Sequence, residues 1–315
     1  MGKILAICTS NVRGIKKTPL ESAVFNPEWG IEGDAHGGNW HRQVSLLSAD
    51  KIRAFNQRNA GVLPGDFGEN LVVEGFDFRL LPVGTRLRCG DVLLEMTQIG
   101  KECHTHCEIY KRMNDCIMPR EGVFAKVLSA GVIKVGDEMV LEPSSEIMPY
   151  RAAVITLSDR CACGEAEDKS GPAIAKRLRQ AGYQLVETMI LSDEREVLEA
   201  QLCRLCDQNQ PDLILTTGGT GFSPRDHAPE ATLAVADRGA PGIAEAIRAH
   251  SMTITPRAML SRGASVIRGR TLIINLPGSV KAVNESMDCF MDTLPHGLDV
   301  LRGEVSNCGR PPDAK

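Results

Sequence analysis

The chain has 315 residues, 43% of them hydrophobic and 24% charged, and it is longer than a single hydrophobic core usually serves, so two domains are expected. A formal net charge of -4 argues against a general nucleic-acid surface, and aromatic residues at 4% are too sparse for stacking platforms. No run approaches the roughly 20 apolar residues of a membrane span, the apolar run Ile4–Ile7 is too short for a secretory signal, and Ala6 breaks the myristoylation pattern, so the cytoplasm is the expected compartment.

From Lys3 to Leu141 the pattern is one of short strands and turns. Ile4–Ile7 and Val44–Leu47 read as strands, with the Gly/Asp/His-rich run Gly30–Gly38 as a loop between them. Ser48 caps a helix in which Ile52 and Phe55 share a face. Pro64–Val73 turns into a strand, Leu80–Thr97 alternates and turns at glycines, and Val132–Leu141 closes the region with a turn-linked pair. Short strands at this spacing predict a mostly-β barrel or folded sheet over residues 1–142.

Pro143–Pro149, with two prolines, two serines and no periodicity, separates the halves, and the linker is set at 143–150. Residues 151–315 follow a different pattern. Ala152–Ser158 is a continuous apolar strand, and Ser170–Gly182 a helix with proline near its start and glycine past its end. Gln184–Leu191 is a strand, Glu194–Asp207 a helix and Asp212–Thr217 a strand. Helices Pro229–Arg238 and Ile243–His250 precede the strand Thr271–Asn275, and a helix runs from Val280 to about Leu294. Strands alternating with helices predict an α/β three-layer domain with a mostly parallel sheet.

In such a sheet the loops after the strands gather at one edge, where ligands bind. That edge would hold Ser158, Asp159, Asp193, Arg225 and Asp226 beside the glycine-flanked amides of Thr216–Gly221 and Asn275–Ser279. Amides and helix N-termini attract phosphate, and nearby carboxylates suit Mg²⁺, which binds through one or two carboxylates plus substrate phosphates. The chemistry this suggests is phosphoryl or nucleotidyl transfer. Plainer readings stand beside it. The glycines can form a mere turn, Asp193 can cap the helix that starts at Glu194, and Asp159 with Arg160 can be a surface ion pair.

Thr216-Thr-Gly-Gly-Thr-Gly221 with Arg225-Asp226 and Pro229-Glu-Ala-Thr232 closely resembles the signature of the MoaB/MogA family of molybdopterin-binding proteins. The likeness continues through Leu157–Arg160, Met259–Arg262 and Ile273–Gly278 and covers residues 150–303. The resemblance implies an adenylyltransferase that uses Mg-ATP to place AMP on the terminal phosphate of molybdopterin and releases pyrophosphate. It implies that Asp226 organises Mg²⁺ and the triphosphate and that Asp193 positions phosphate or metal. By the same likeness Gly218, Gly219, Thr220 and Gly221 cradle the pterin and its phosphate, and Ser158, Asp159, Arg225, Ser261, Pro277, Gly278 and Ser279 line the remainder. One departure is visible, because His227-Ala228 stands where the family commonly has threonine at the second position.

Most of the eleven cysteines read as small buried hydrophobes. The exception is Cys103-His-Thr-His-Cys107 with Cys116, which can be a zinc site, an inert cluster or a reactive thiol. Gly68-Glu-Asn70, the run Gly84–Gly90 and Thr97-Gln-Ile-Gly-Lys-Glu-Cys103 resemble the MOSC domain, a β-barrel related to the C-terminal domain of molybdenum-cofactor sulfurases. Cys103 falls on that family's reactive cysteine, which implies a carrier of persulfide sulfur or a ligand to molybdenum, activated by Lys101 or a histidine. Arg120, His36 and Asp34 are either pocket residues or surface and turn residues.

Together the halves imply a two-domain molybdenum-cofactor enzyme, with a molybdenum-insertion protein or a sulfur donor as partner and a homo-oligomer, a trimer or a multiple, as the assembly. A non-catalytic pterin or cofactor carrier, and a nucleotide-binding module acting on something other than a pterin, are the alternatives.

Overall fold

The computed structural model describes residues 1–101, 103, 107–142 and 148–303. His104 and His106, which the zinc reading needs, and residues 143–147 of the expected linker lie outside the described residues. The chain divides into two compact units, Met1–Ile147 and Met148–Lys315.

Among the described residues the first unit has eleven strands: β1 (Gly2–Thr9), β2 (Thr18–Leu20), β3 (Ser22–Asn26), β4 (Gly30–Ile31), β5 (Val44–Ser48), β6 (Leu71–Glu74), β7 (Arg86–Cys89), β8 (Val92–Ile99), β9 (Val123–Ser129), β10 (Gly131–Lys134) and β11 (Glu138–Glu142). The order β11-β7-β8-β9-β5-β6-β1 closes on itself through pairing of β1 with β11, and β2 extends β1 at its side. This is a closed seven-stranded barrel with a separate three-stranded sheet, β10-β3-β4. The short strands β2, β3 and β4 are additions to what the sequence pattern predicts.

Strand periodicity sorts the barrel residues into two buried clusters. Ile4, Ile7, Leu46, Leu71, Leu87, Leu94, Met96, Val123 and Met139, drawn from all seven barrel strands, form the inner one. Ala6, Cys8, Leu47, Val72 and Phe124 pack instead with residues of helices α1 (Ala49–Asn56), α2 (Glu108–Met113) and α3 (Met118–Glu121).

The second unit has a six-stranded sheet, β13-β12-β14-β17-β16-β15. Its strands are β12 (Arg151–Leu157), β13 (Gln184–Leu191), β14 (Leu213–Thr217), β15 (Arg238–Gly239), β16 (Ser265–Arg268) and β17 (Thr271–Leu276). The four strands β13, β12, β14 and β17 pair in parallel, whereas β16 and β15 add an antiparallel edge. The helices are α4 (Asp159–Ala162), α5 (Ser170–Gln180), α6 (Arg195–Arg204), α7 (Ala228–Ala234), α8 (Pro241–Met252), α9 (Val280–Phe290) and α10 (Leu294–Arg302).

Alternate residues of the central strands face opposite layers. Ala152, Val154, Leu213, Leu215, Leu272 and Ile274 pack with α5, α8, α9 and α10. Ala153, Ile155, Ile214 and Ile273 pack with α6 and α7. Both faces are covered, so these strands read as unbroken apolar runs.

The helix expected over Glu194–Asp207 ends as α6 at Arg204, where the chain widens into a π-helical turn, Leu205–Asn209, and exits through Gln210 at φ 47. The helix expected to run to Leu294 is two helices, and Pro295 sits in the first turn of α10, where its missing N–H leaves no bond unmade. Among the described residues no helix is long and apolar enough to cross a membrane.

Candidate functional site

The carboxyl ends of β12, β13, β14 and β17 lie side by side in the second unit, with Thr156 in register with both Ile190 and Thr217, and Thr217 with Leu276. The loops that leave them carry the residues singled out from the sequence. β12 is followed by Ser158, whose hydroxyl accepts the Cys161 amide at 3.2 Å and caps α4. β13 is followed by Ser192-Asp193. The Asp193 carboxylate does not cap the following helix, whose N-cap is Glu194 with no side-chain bond. It accepts the Asp159 amide at 3.0 Å instead, and the Asp159 carboxylate accepts the Asp193 amide at 3.0 Å.

After β14 the chain turns through Gly218 at φ 95 and Gly219 at φ 65. A Cβ on Gly218 would lie 2.3 Å from the Leu157 carbonyl oxygen, and one on Gly278 would lie 3.4 Å from the Gly218 Cα. The two loops therefore touch backbone to backbone, which only glycine allows at Gly218. Thr217 donates its hydroxyl to the Pro277 carbonyl at 2.7 Å, adding a second tie between them. Beneath the loop, the fully buried Thr216 and Thr232 hydroxyls each accept from the Asn275 amide at 2.8 Å. Asn275, expected to open a ligand loop, is a buried strut at the end of β17.

Asp226 closes the glycine loop as a tight turn. Its carboxylate accepts the Ser223 amide at 2.8 Å and its own amide donates to the Ser223 carbonyl at 2.9 Å. Ala228 is buried and donates its amide to the Gly219 carbonyl at 3.1 Å, so the departure from the family pattern sits against the loop itself. Ser279 caps α9 through the Ala282 amide at 3.3 Å. Ser261 accepts the Gly263 amide at 3.4 Å.

The edge carries the carboxylates of Asp159, Asp193, Glu194 and Asp226, with the Arg225 guanidinium set among them. Arg225 grips Asp159 at 2.8 Å and 2.9 Å through one nitrogen and Glu194 at 2.7 Å through another. Asp159 thus pairs with Arg225 rather than with its neighbour Arg160. The Arg225 hydrogen bonds hold the Asp159 carboxyl below its ordinary range. Burial pushes the Asp193 carboxyl up, and the charges of Asp159 and Asp226 raise it further. A carboxylate so placed gains from a cation that relieves the repulsion. Among the described residues no group of three or more His, Cys, Asp or Glu is arranged to hold a metal by itself. Two carboxylates with room for substrate oxygens suit magnesium, which rarely uses an all-protein cage. At this edge Asp193 feels the charge of Asp226.

Comparison with known proteins bears on the same stretch. A family model described as "Probable molybdopterin binding domain" matches residues 153–296. The molybdopterin adenylyltransferase of Helicobacter pylori J99 is 40% identical over 152 residues, which is 48% of this chain and 86% of that protein. The chain belongs to the MoaB/MogA family of molybdopterin-binding proteins.

This MoaB/MogA-family chain is also 43% identical over 155 residues to the Escherichia coli K12 molybdopterin adenylyltransferase, covering 47% of the chain and 79% of that protein. Among solved structures, the molybdopterin biosynthesis enzyme MoaB of Thermus thermophilus is 41% identical, covering 49% of this chain and 97% of that one at a TM-score of 0.47. A MOSC domain model matches residues 32–140, so the MoaB/MogA domain is joined to an N-terminal MOSC domain.

In the MOSC domain, Cys103 and Cys107 are exposed and Cys116 is buried. Burial pushes the Cys116 thiol up to about 11, the charges of Cys107 and Cys103 add to this, and Lys101 opposes it, which puts the four in one neighbourhood. Arg120 is tied to Asp115 at 2.8 Å. Asp34 is fully engaged, taking Lys17 at 2.7 Å, the Asn70 side-chain amide at 3.0 Å and the His36 amide at 2.9 Å. Glu69 accepts the Gly65 and Phe67 amides at 2.8 Å and 3.1 Å. Most of the Gly68-Glu-Asn70 motif is therefore buried scaffolding. The residue that sequence reasoning missed is Arg262, whose guanidinium reaches three separate points around the glycine loop.

Proposed function

We propose that the C-terminal domain is a molybdopterin adenylyltransferase working in molybdenum-cofactor biosynthesis. The observation that carries this reading is the glycine loop Gly218–Gly221 laid backbone-to-backbone against Gly278, with Asp193 and Asp226 flanking it at one sheet edge. Curated relatives at 40% and 43% identity carry that name.

In the proposed reaction an oxygen of the pterin's terminal phosphate attacks the α-phosphorus of ATP. The bond to the bridging oxygen breaks and pyrophosphate leaves, with no change of oxidation state. Such transfers depend on positioning and charge neutralisation more than on covalent chemistry by the protein. The amides of Gly219, Thr220 and Gly221 bind phosphate oxygens, Gly218, whose own amide donates to the Leu276 carbonyl, turns the chain into that cradle, Ser158, Ser261, Pro277, Gly278 and Ser279 line it, and Asp159 and Arg225 hold two of its loops together. Asp193 and Asp226 hold magnesium, which when bound neutralises triphosphate charge.

The MOSC domain handles the maturing cofactor or its sulfur through Cys103. Its thiolate takes the outer sulfur of a donor persulfide and the donor leaves as a thiol, or it ligates molybdenum. Linking the domains raises the effective concentration of a labile intermediate. We place the protein in the cytoplasm as a trimer or a multiple of one, with a sulfur donor or molybdenum-insertion protein as partner.

The deciding experiment incubates the full chain with molybdopterin and Mg-ATP. Wild type should release pyrophosphate and make adenylylated pterin, and Asp226→Asn should make little. Equal product from the two proteins would remove Asp226 from the mechanism, and none from either would favour a non-catalytic carrier. For the MOSC domain, intact mass after a persulfide donor should show a cyanide-removable sulfur that Cys103→Ser lacks; its retention in that variant would sink the assignment.

A further inference from the structure

The Thr220–Asp226 loop contains Gly221 and follows two more glycines, and ordering glycine costs more backbone entropy than ordering any other residue. Something must hold it if its amides and Asp226 are to face a ligand without rearranging. Arg262 touches it at three carbonyls. Its own amide donates to the Thr220 carbonyl at 3.0 Å, its Nε to the Gly221 carbonyl at 2.7 Å, and its Nη2 to the Asp226 carbonyl. The remaining arm, Nη1, is paired with Glu230 in α7. One side chain thus spans the loop from its glycine end to its carboxylate end and fastens it to a helix whose start packs against Gly219.

We propose that Arg262 is the positioning residue of the transfer reaction, acting through the backbone on either side of the loop to set the register of Asp226. The inference rests on the adenylyltransferase reading and adds a residue and a role to it. A guanidinium suits the task because its donors sit in a rigid planar fork, whereas an ammonium is a point charge on a flexible stem. The charge is not available for substrate phosphate. It is directed into protein carbonyls and paired with Glu230. Arg262 therefore shapes the site without being one of its anion ligands. Since small misplacements at a reacting centre cost about 100-fold in rate, a loosened loop should act on turnover before it acts on binding.

The test compares Arg262→Lys and Arg262→Gln with wild type in the full chain, measuring kcat, KM for ATP and for molybdopterin, and amide exchange across Thr220–Asp226. Both variants should lose about 100-fold in kcat with each KM within about threefold, because the span matters and the charge does not. Loop amides should exchange at least about tenfold faster while β12, β14 and β17 keep their protection. Rescue by lysine, or a rise in KM for ATP with kcat retained, would make Arg262 a phosphate ligand and overturn the proposal. Faster exchange throughout the domain would reduce it to a fold-stabilising residue and overturn it equally. A wild type that makes no adenylylated pterin refutes the assigned activity, and unchanged loop exchange in the variants then refutes the clamp on its own.

Discussion

Asp159 and Asp193, 34 residues apart in the chain, each accept the other's backbone amide at 3.0 Å. This reciprocal pair fixes the ends of β12 and β13 against each other and leaves the second oxygen of Asp193 uncommitted to any donor among the described residues. A carboxylate that is held by its neighbour's backbone, half-buried and repelled by two other carboxylates is well suited to binding a cation.

Asp193→Asn separates geometry from charge. The asparagine oxygen still accepts the Asp159 amide, so the loops keep their places and the melting temperature should change little. The adenylyl transfer rate should fall about 100- to 1,000-fold, the loss typical of one preorganised electrostatic contact. Steady-state kinetics beside a thermal melt checks both halves, and near-normal kcat would exclude Asp193 from the chemistry.

The acid limb of the activity profile should belong to Asp193. Its carboxyl is raised first by burial and then by Asp159 and Asp226, and only the ionised form can hold magnesium. Activity should therefore fall on acidification at a pH above the ordinary carboxylate range. Asp159→Asn removes one of the repelling charges and releases Arg225, so the limb should move to lower pH. A profile of kcat/KM against pH for the two proteins reads the shift, and movement to higher pH would contradict the arrangement.

The second domain's strands were legible from sequence because β12, β14 and β17 are covered on both faces and read as continuous apolar runs. The convergence of Ser158, Asp193, Gly218–Gly221 and Pro277–Ser279 followed from that topology. Less legible were contacts made between distant points of the chain. The Asp159–Asp193 exchange, the Asn275 bridge to Thr216 and Thr232, and the Arg262 span leave no periodic trace, since each depends on where loops meet. The antiparallel edge was missed for another reason. β15 has two residues and β16 four, too few for an alternation to declare itself. In the barrel, Glu69 read as part of a motif, and its burial became visible only once β1, β5 and β6 were in register around it.

Glycine substitutions should divide sharply by position. Gly218→Ala forces a side chain onto φ 95 and toward the Leu157 carbonyl, and should cost on the order of 2–4 kcal/mol or prevent folding of the domain. Gly297→Ala in α10, where an added Cβ meets nothing within 4 Å, should instead stabilise by about 0.5–1 kcal/mol. Denaturant unfolding followed by far-ultraviolet circular dichroism distinguishes the two, and equal effects would discard the close-approach argument.

Glu69 makes a stability prediction for the barrel. Burial is the main cause that lifts its carboxyl from 4.5 to about 7, outweighing the backbone amides it accepts. The folded barrel therefore binds the proton more tightly than the unfolded chain does. The contribution of Glu69 to stability is full below about 4.5 and is lost as pH rises through about 7, by on the order of 3 kcal/mol. Glu69→Gln should lose this slope, so its stability relative to wild type should improve steadily across that window. Both tryptophans, Trp29 and Trp40, lie in the first unit, so tryptophan fluorescence follows its unfolding alone. Parallel pH curves for the two proteins would contradict the prediction.

The seam of the barrel sets an order on its assembly. Gly2 pairs with Met139 and Lys3 with Glu138, so the ring stays open until its last strand has left the ribosome. For most of that synthesis the Gly2–Lys3 end of β1 lacks its partner, beside the Ile7–Thr9 stretch that β2 covers, and the contact that finally completes it spans almost the whole unit, the kind of long closure that slows folding. Among the described residues nothing beyond Glu142 takes part in the ring. The nascent barrel can therefore close while the strands of the second domain are still being made, and a helper that shields β1 during that interval would act on the MOSC domain alone.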